Sequence, residues 1–294
     1  MFLRSEERNS VSRSKSKSVI ANPLEQSVDF IRDVVPRRLL AELDAWLPKR
    51  RLLDPAIFIN RAICDLEDHV YGERELKISI LAGSTAAVSD DIIDSQSDIS
   101  HNKLRLLEDY ERSVEGGNLG LFYAFNQGLL RVLPSDFRAR FKEIIDQYNR
   151  AQEDSAKLFD PSITKGEIID IKNRAGGYSI LLLHAMISSG ERIIVDNLDY
   201  LRYPMTKQEA LYTYGAWLSR VDDLWDIRKD RLKGMKQLAT ERIITWESLP
   251  SETQRMKEGL ETHFPRTSVE RVIEEHYAPL IDMEIFTKYG ESEE

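Results

Sequence analysis

The sequence predicts an all-α fold, a single-domain bundle of about ten to twelve helices. Three observations predict it. Apolar residues recur at helical spacing along nearly the whole chain. Val, Ile and Thr never assemble into a period-two run closed by hairpin turns. No repeat of solenoid length and no low-complexity linker divides the chain.

The elements follow in order. Met1 to Lys17 is basic and Ser-rich without an apolar run, so residues 1–22 read as a disordered tail and 23–294 as the domain. Pro23 opens a helix to about Val35. Pro36 opens the next, Arg37 to Leu47, in the first turn, where its missing N–H is no loss. Asp54-Pro55 starts a helix to about Val70, and Gly72 breaks the chain. A long helix is expected over Glu75 to Ser97, and another over His101 to Ser113. Gly116-Gly117-Asn118 reads as a loop and Leu119 to Leu133 as an amphipathic helix. Pro134-Ser135 begins a helix that runs to about Phe159, where Asp160-Pro161 ends it. Thr164 to Ile187 is helical, with a kink or break expected at Gly176-Gly177 because each glycine costs ~1 kcal/mol relative to Ala. Thr206 to Arg228 is helical, and shorter helices finish the chain.

Composition narrows the function. Hydrophobic residues at 41% suffice for a core, and a net charge of −9 argues against a general nucleic-acid binder. The single cysteine, Cys64, excludes an internal disulfide framework and fits a reducing, cytoplasmic setting. The best apolar run, Tyr178 to Ile187, is about half of the roughly 20 residues a membrane span needs.

Two stretches stand out, Asp90-Asp91-Ile92-Ile93-Asp94 and Asp222-Asp223-Leu224-Trp225-Asp226. Each is Asp-Asp-x-x-Asp within a helical pattern. Helical spacing sets Asp90, Asp94 and Asp98 on one ridge and Asp222, Asp226 and Asp230 on another. Like charges four apart repel by roughly 0.2–0.5 kcal/mol per pair. One such cluster is ordinary in a chain with 50 acidic residues. Two, each flanked by apolar residues and lacking Lys or Arg at i+4, point to a bound cation. Clustered carboxylates are hard oxygen ligands suited to Mg²⁺ that bridges to phosphate. Lys172 and Arg174, just before Gly176-Gly177, are suited to meet phosphate oxygens.

The order of these motifs resembles the class I isoprenoid synthase superfamily, the trans-isoprenyl diphosphate synthases and class I terpene synthases. Asp90, Asp91 and Asp94 match its first aspartate-rich motif. Asp222, Asp223, Asp226 and the trailing Asp230 match its second. Gln152 and Asp154 fall at its Gln-x-x-Asp segment, with Ser155 at the expected Asp position. Lys172 matches the lysine ahead of the second motif, and Lys233, Gly234 and Lys236 resemble the Gly-Lys segment behind it. The resemblance covers roughly Leu81 to Lys236.

It implies a bundle around a central apolar cavity and a prenyl diphosphate held by Mg²⁺, with three ions. Lys172, Arg174, Lys229 and Lys236 are its expected cationic partners, with Gln152 also on the substrate. Thr85 and Ala86 match positions that limit chain length in prenyl synthases. Trp217, Phe122, Tyr123 and Tyr178 are candidate aromatic faces for an allylic cation. Homodimers are common in that superfamily, so the resemblance allows one.

The sequence also departs from the chain-elongating enzymes. The Arg pair expected after the first motif is replaced by Asp98-Ile99-Ser100-His101-Asn102-Lys103, leaving Lys103 and Arg105. Gly72-Glu73-Arg74 sits too close to Asp90 for the usual basic segment, and Ser219 replaces a Gln. The metal half of the pattern is complete and the isopentenyl diphosphate half is not. The expectation is therefore a terpene synthase-like enzyme that ionises one prenyl diphosphate. The alternatives are an elongating prenyltransferase with an atypical second site, or a non-catalytic partner subunit.

Overall fold

The computed structural model describes residues 23–47, 53–94, 117–188, 198, 200 and 205–277, without the side chains of 23–27, 53–55, 90, 93–94 and 275–277. The described residues form eleven α-helices and no strand. They are α1 (Pro23–Val34), α2 (Leu40–Trp46), α3 (Leu53–Leu66), α4 (Glu73–Asp94), α5 (Gly117–Val132), α6 (Phe137–Asp154), α7 (Lys165–Ile187), α8 (Lys207–Trp225), α9 (Ile227–Lys233), α10 (Leu249–Glu261) and α11 (Arg266–Arg271). Short 3₁₀ turns precede α2, at Arg37–Leu39, and follow α6, at Ser155–Phe159. No helix among the described residues is long and apolar enough to cross a membrane.

Local chemistry sets the two central helices. Thr164 accepts from the Glu167 backbone N–H, while Glu167 Oε2 accepts from the Thr164 backbone N–H at 2.8 Å. Thr206 and Glu209 repeat the arrangement at the start of α8. Each reciprocal cap satisfies two groups that a helix end leaves open. Along α8, Leu211, Tyr214, Trp217, Val221 and Leu224 are all buried, recurring every three or four residues.

The expected break at Gly176-Gly177 is corrected: α7 runs unbroken from Lys165 to Ile187. A β-carbon at Gly176 would lie 2.2 Å from the Gly215 carbonyl oxygen, and one at Gly177 would meet the Tyr212 ring at 2.2 Å. The glycines let α7 and α8 approach closely, and that packing offsets their low helix propensity. A different break occurs instead. α8 ends at Trp225, and Asp226 (φ −89°, ψ 6°) joins it to α9.

Two more boundaries shift. α5 starts at Gly117 (φ +65°), inside the expected loop. The expected helix through Phe159 becomes 3₁₀ after Asp154. The helix expected at His101 to Ser113 and the tail 1–22 lie outside the described residues.

One hydrogen bond and two ion pairs show the direction of the central helices. Arg74, at the start of α4, donates to the Met186 carbonyl oxygen at the end of α7, 3.1 Å away. Lys172, early in α7, pairs with Asp223 near the end of α8 at 2.6 Å. Arg174 pairs with Asp154, the last residue of α6, at 2.9 Å. So the C-terminal ends of α4, α6 and α8 gather at one end of the bundle, beside the first turns of α7.

Candidate functional site

That gathered end carries both acidic motifs. The first occupies the last turn of α4. Asp91 is half-buried and Ile92 buried. The side chains of Asp90 and Asp94, and all of Asp98, Lys103 and Arg105, lie outside what is described. By helical spacing, positions 90 and 94 continue the face that holds Gly83 and Ala86.

The second motif spans the junction of α8 and α9. Two i→i−4 bonds flank the break: the Asp226 N–H donates to the Asp222 carbonyl, and the Asp230 N–H to the Asp226 carbonyl, both at 2.9 Å. Its carboxylates differ in environment. Asp223 is 1% exposed and engaged by the protein on both oxygens. Oδ1 takes Lys172, and Oδ2 accepts the Leu238 backbone N–H at 3.0 Å. Gly234 (φ +68°) makes this possible, because its left-handed turn folds the chain after α9 back onto α8.

Asp222 is exposed, with Lys172, Asp223 and Asp226 close enough to act on its charge. Desolvation raises its carboxyl above the usual range. Asp223 and Asp226 raise it further, and Lys172 only partly offsets them. Asp230 is buried and pushed up to about 6 by desolvation and by Asp223 and Asp226. Asp226 pairs with Lys229. Raised carboxyls of this kind mark a group short of positive charge. Among the described side chains, no three acidic or His groups converge on one metal position. Asp222 and Asp226 carry hard oxygen donors of the kind a divalent cation takes, with Asp226 already held by Lys229.

The expected cations are committed to protein partners. Lys172 is half-buried and held on Asp223. Arg174 is shared between Asp154 and Asp170, at 2.9 and 2.8 Å. Lys157 joins the same Asp154 at 2.6 Å. Lys236 Nζ donates to the Pro161 carbonyl at 2.6 Å, and its N–H to the Leu158 carbonyl. These contacts tie the chain after α9 to the turn between α6 and α7, at the acidic end.

From this end an apolar cavity of about 250 Å³ runs between α3, α4, α5, α6 and α7. Ser89 and Gln152 line it near the acidic motifs. Thr85 and Ala86 line its α4 wall. Leu133, Phe137 and Arg138 line it at the turn between α5 and α6. Of the four aromatics singled out, Phe122 lines it, and the assignment of the other three is corrected. Trp217 is fully buried and donates its indole N–H to Thr253 at 2.9 Å. Tyr178 packs edge-on against Tyr212, with ring centres 5.5 Å apart. Tyr123 is buried off the cavity and packs edge-on against Phe122. Tyr148, which sequence reasoning missed, lines the cavity.

Comparison of the chain with family models, with curated proteins and with solved structures gives no match.

Proposed function

We propose that this chain binds an allylic prenyl diphosphate with Mg²⁺ and promotes loss of the diphosphate, as a terpene synthase-like enzyme. One observation carries the reading. The two helices that end in Asp-Asp-x-x-Asp motifs both run opposite to α7, and Ser89, next to the first motif, lines an apolar cavity between α4 and α7. A hydrocarbon chain suits the cavity, and a charged head held through metal suits the rim.

In this reading Asp222 and Asp226 offer metal ligands from α8, with Asp230 behind them, and Asp90, Asp91 and Asp94 offer them from α4. Bound Mg²⁺ supplies Lewis-acid neutralisation of the charge that grows on the diphosphate as the allylic C–O bond breaks. Asp223 acts as an internal anchor: it holds Lys172 and the chain after Gly234, and so fixes the direction of Asp222. Gln152, on the cavity wall, is the proposed donor to a diphosphate oxygen. Phe122 and Tyr148 offer aromatic faces to a cation inside the cavity. The apolar walls exclude water, which strengthens each of these electrostatic contributions.

The test is diphosphate release with Mg²⁺ from geranyl, farnesyl and geranylgeranyl diphosphates, each with and without isopentenyl diphosphate. Release without the co-substrate supports the terpene synthase-like reading. Release only with it makes the protein an elongating prenyltransferase. No release from folded protein favours the non-catalytic subunit.

A further inference from the structure

α9 follows the second acidic motif directly and carries charge of the opposite sign. Arg228, Lys229, Arg231 and Lys233 are all exposed on it, in a chain of net charge −9. Its one acid, Asp230, is buried, and Ile227 is half-buried against the core. These two residues fix which side of α9 faces inward. The left-handed turn at Gly234 holds its end, with the Gly234 and Met235 N–H groups on the Arg231 and Asp230 carbonyls. At about 3.6 residues per turn, Leu232 then stands opposite the inward side, between Arg228 and Lys229. It is 90% exposed.

Exposed large hydrophobic side chains are few among the described residues: Val70, Leu232 and Trp225. Two of them belong to this stretch. Trp225, 48% exposed, sits at the joint of α8 with α9, seven residues before Leu232, or about 10 Å at helical rise. Asp222 and Asp226 are the acids at that end of the face, and Lys229 holds Asp226.

This mixture selects a partner. A nucleic-acid backbone offers phosphates to the cations and nothing to an aliphatic side chain standing among them. A bilayer with anionic headgroups serves every member of the face. Its headgroups meet the Lys and Arg side chains, whose stems lie along apolar surface, its hydrocarbon takes Leu232, and the boundary suits the amphipathic ring of Trp225. We infer that the outward face of α9, with Trp225, docks the protein on the surface of an anionic membrane. No described helix is long and apolar enough to cross that membrane, so the contact lies in its surface. The inference goes beyond the proposed function and does not rest on it.

The test is co-sedimentation of the full chain with phosphatidylcholine vesicles containing about one-third phosphatidylserine, in EDTA at about 0.1 M salt, beside vesicles of phosphatidylcholine alone. Wild type binds the anionic vesicles and binds the neutral ones far less. Leu232→Asn weakens binding on the order of fivefold. Arg228→Gln combined with Lys233→Gln weakens it on the order of tenfold or more, because each cation near such a surface contributes about fivefold. The three positions are exposed, so these variants keep the fold, which circular dichroism melts check. Tryptophan emission gives a second readout. It shifts to the blue when wild type meets anionic vesicles, and Trp225→Phe removes most of the shift, since Trp46 and Trp217 are already buried. No vesicle binding by wild type, or equal binding to neutral vesicles, overturns the inference. Undiminished binding by the variants, as when the basic stretch Met1 to Lys17 holds the lipid, overturns it too. Binding of a labelled single-stranded oligonucleotide without vesicle binding assigns the face to nucleic acid and has the same consequence. Metal and prenyl diphosphate are absent throughout, so the outcome leaves the proposed function to its own assay.

Discussion

Gly176 and Gly215 face each other where α7 meets α8, so closely that a β-carbon on either would lie 2.2 Å from the other's carbonyl oxygen. The obstacle is backbone, which cannot swing aside as a side chain does. Gly176→Ala therefore destabilises the protein by about 2–3 kcal/mol or more, the upper range for overpacking. Gly166→Ala is the contrast, because its β-carbon would meet only Thr164 Oγ1, at 4.0 Å, within a helix. It is neutral or stabilising by up to about 1 kcal/mol. Denaturant midpoints of the two variants check both.

The pairing of Lys172 with Asp223 is the second test. Removing Lys172 leaves the buried Asp223 charge unpaired, a loss of about 3–5 kcal/mol, and removing Asp223 costs somewhat less because Lys172 keeps partial access to solvent. Lys172→Met with Asp223→Asn costs less than the two single losses together, because neither charge is then left alone. A double-mutant cycle measured by chemical denaturation reads the coupling directly. Additive losses would mean that the two residues do not depend on each other.

Acid stability centres on Glu67. Burial alone would raise its carboxyl, but hydrogen bonds and charge from His184 and Lys207 outweigh it and hold it down, from 4.5 to about 2. The contacts are 2.5 and 2.8 Å. A depressed carboxyl contributes stability in full above its unfolded value and loses it as pH falls between about 4.5 and 2. Partial exposure screens the contribution to on the order of 2 kcal/mol. Wild type exceeds Glu67→Gln by this amount at pH 6, and the gap narrows towards pH 2.5. A gap independent of pH would contradict the assignment.

Cys64 is 1% exposed, and burial, then Glu75 and Asp65, push its thiol up to about 12. Native protein at pH 8 is expected to react with a disulfide reagent on the order of a hundredfold or more slowly than unfolded protein. Stopped-flow labelling in buffer and in denaturant makes the comparison.

The helices were legible because their signals are local. Apolar spacing, and the helix starts it sets at Thr164 and Thr206, need no distant partner. What the sequence misread depends on distant partners. Gly176-Gly177 looked like a break because propensity penalises glycine, while the reason for it, Gly215, lies one helix later. Asp223 looked the same as Asp222, yet the turn at Gly234 brings the Leu238 N–H onto it and withdraws it into the protein. Trp217 looked like a site aromatic, but Thr253 of α10 claims its indole.

The most direct measurement of the central claim is Mg²⁺-dependent diphosphate release from geranyl diphosphate by wild type, Asp90→Ala, Asp222→Ala and Asp170→Ala. Asp170 belongs to the Arg174 pair and lies outside both motifs. The account predicts release by wild type, a loss of a hundredfold or more, on the order of 3 kcal/mol, in each of Asp90→Ala and Asp222→Ala, and little change in Asp170→Ala. Release that persists without Mg²⁺, or that survives loss of both motif aspartates in folded protein, would contradict it.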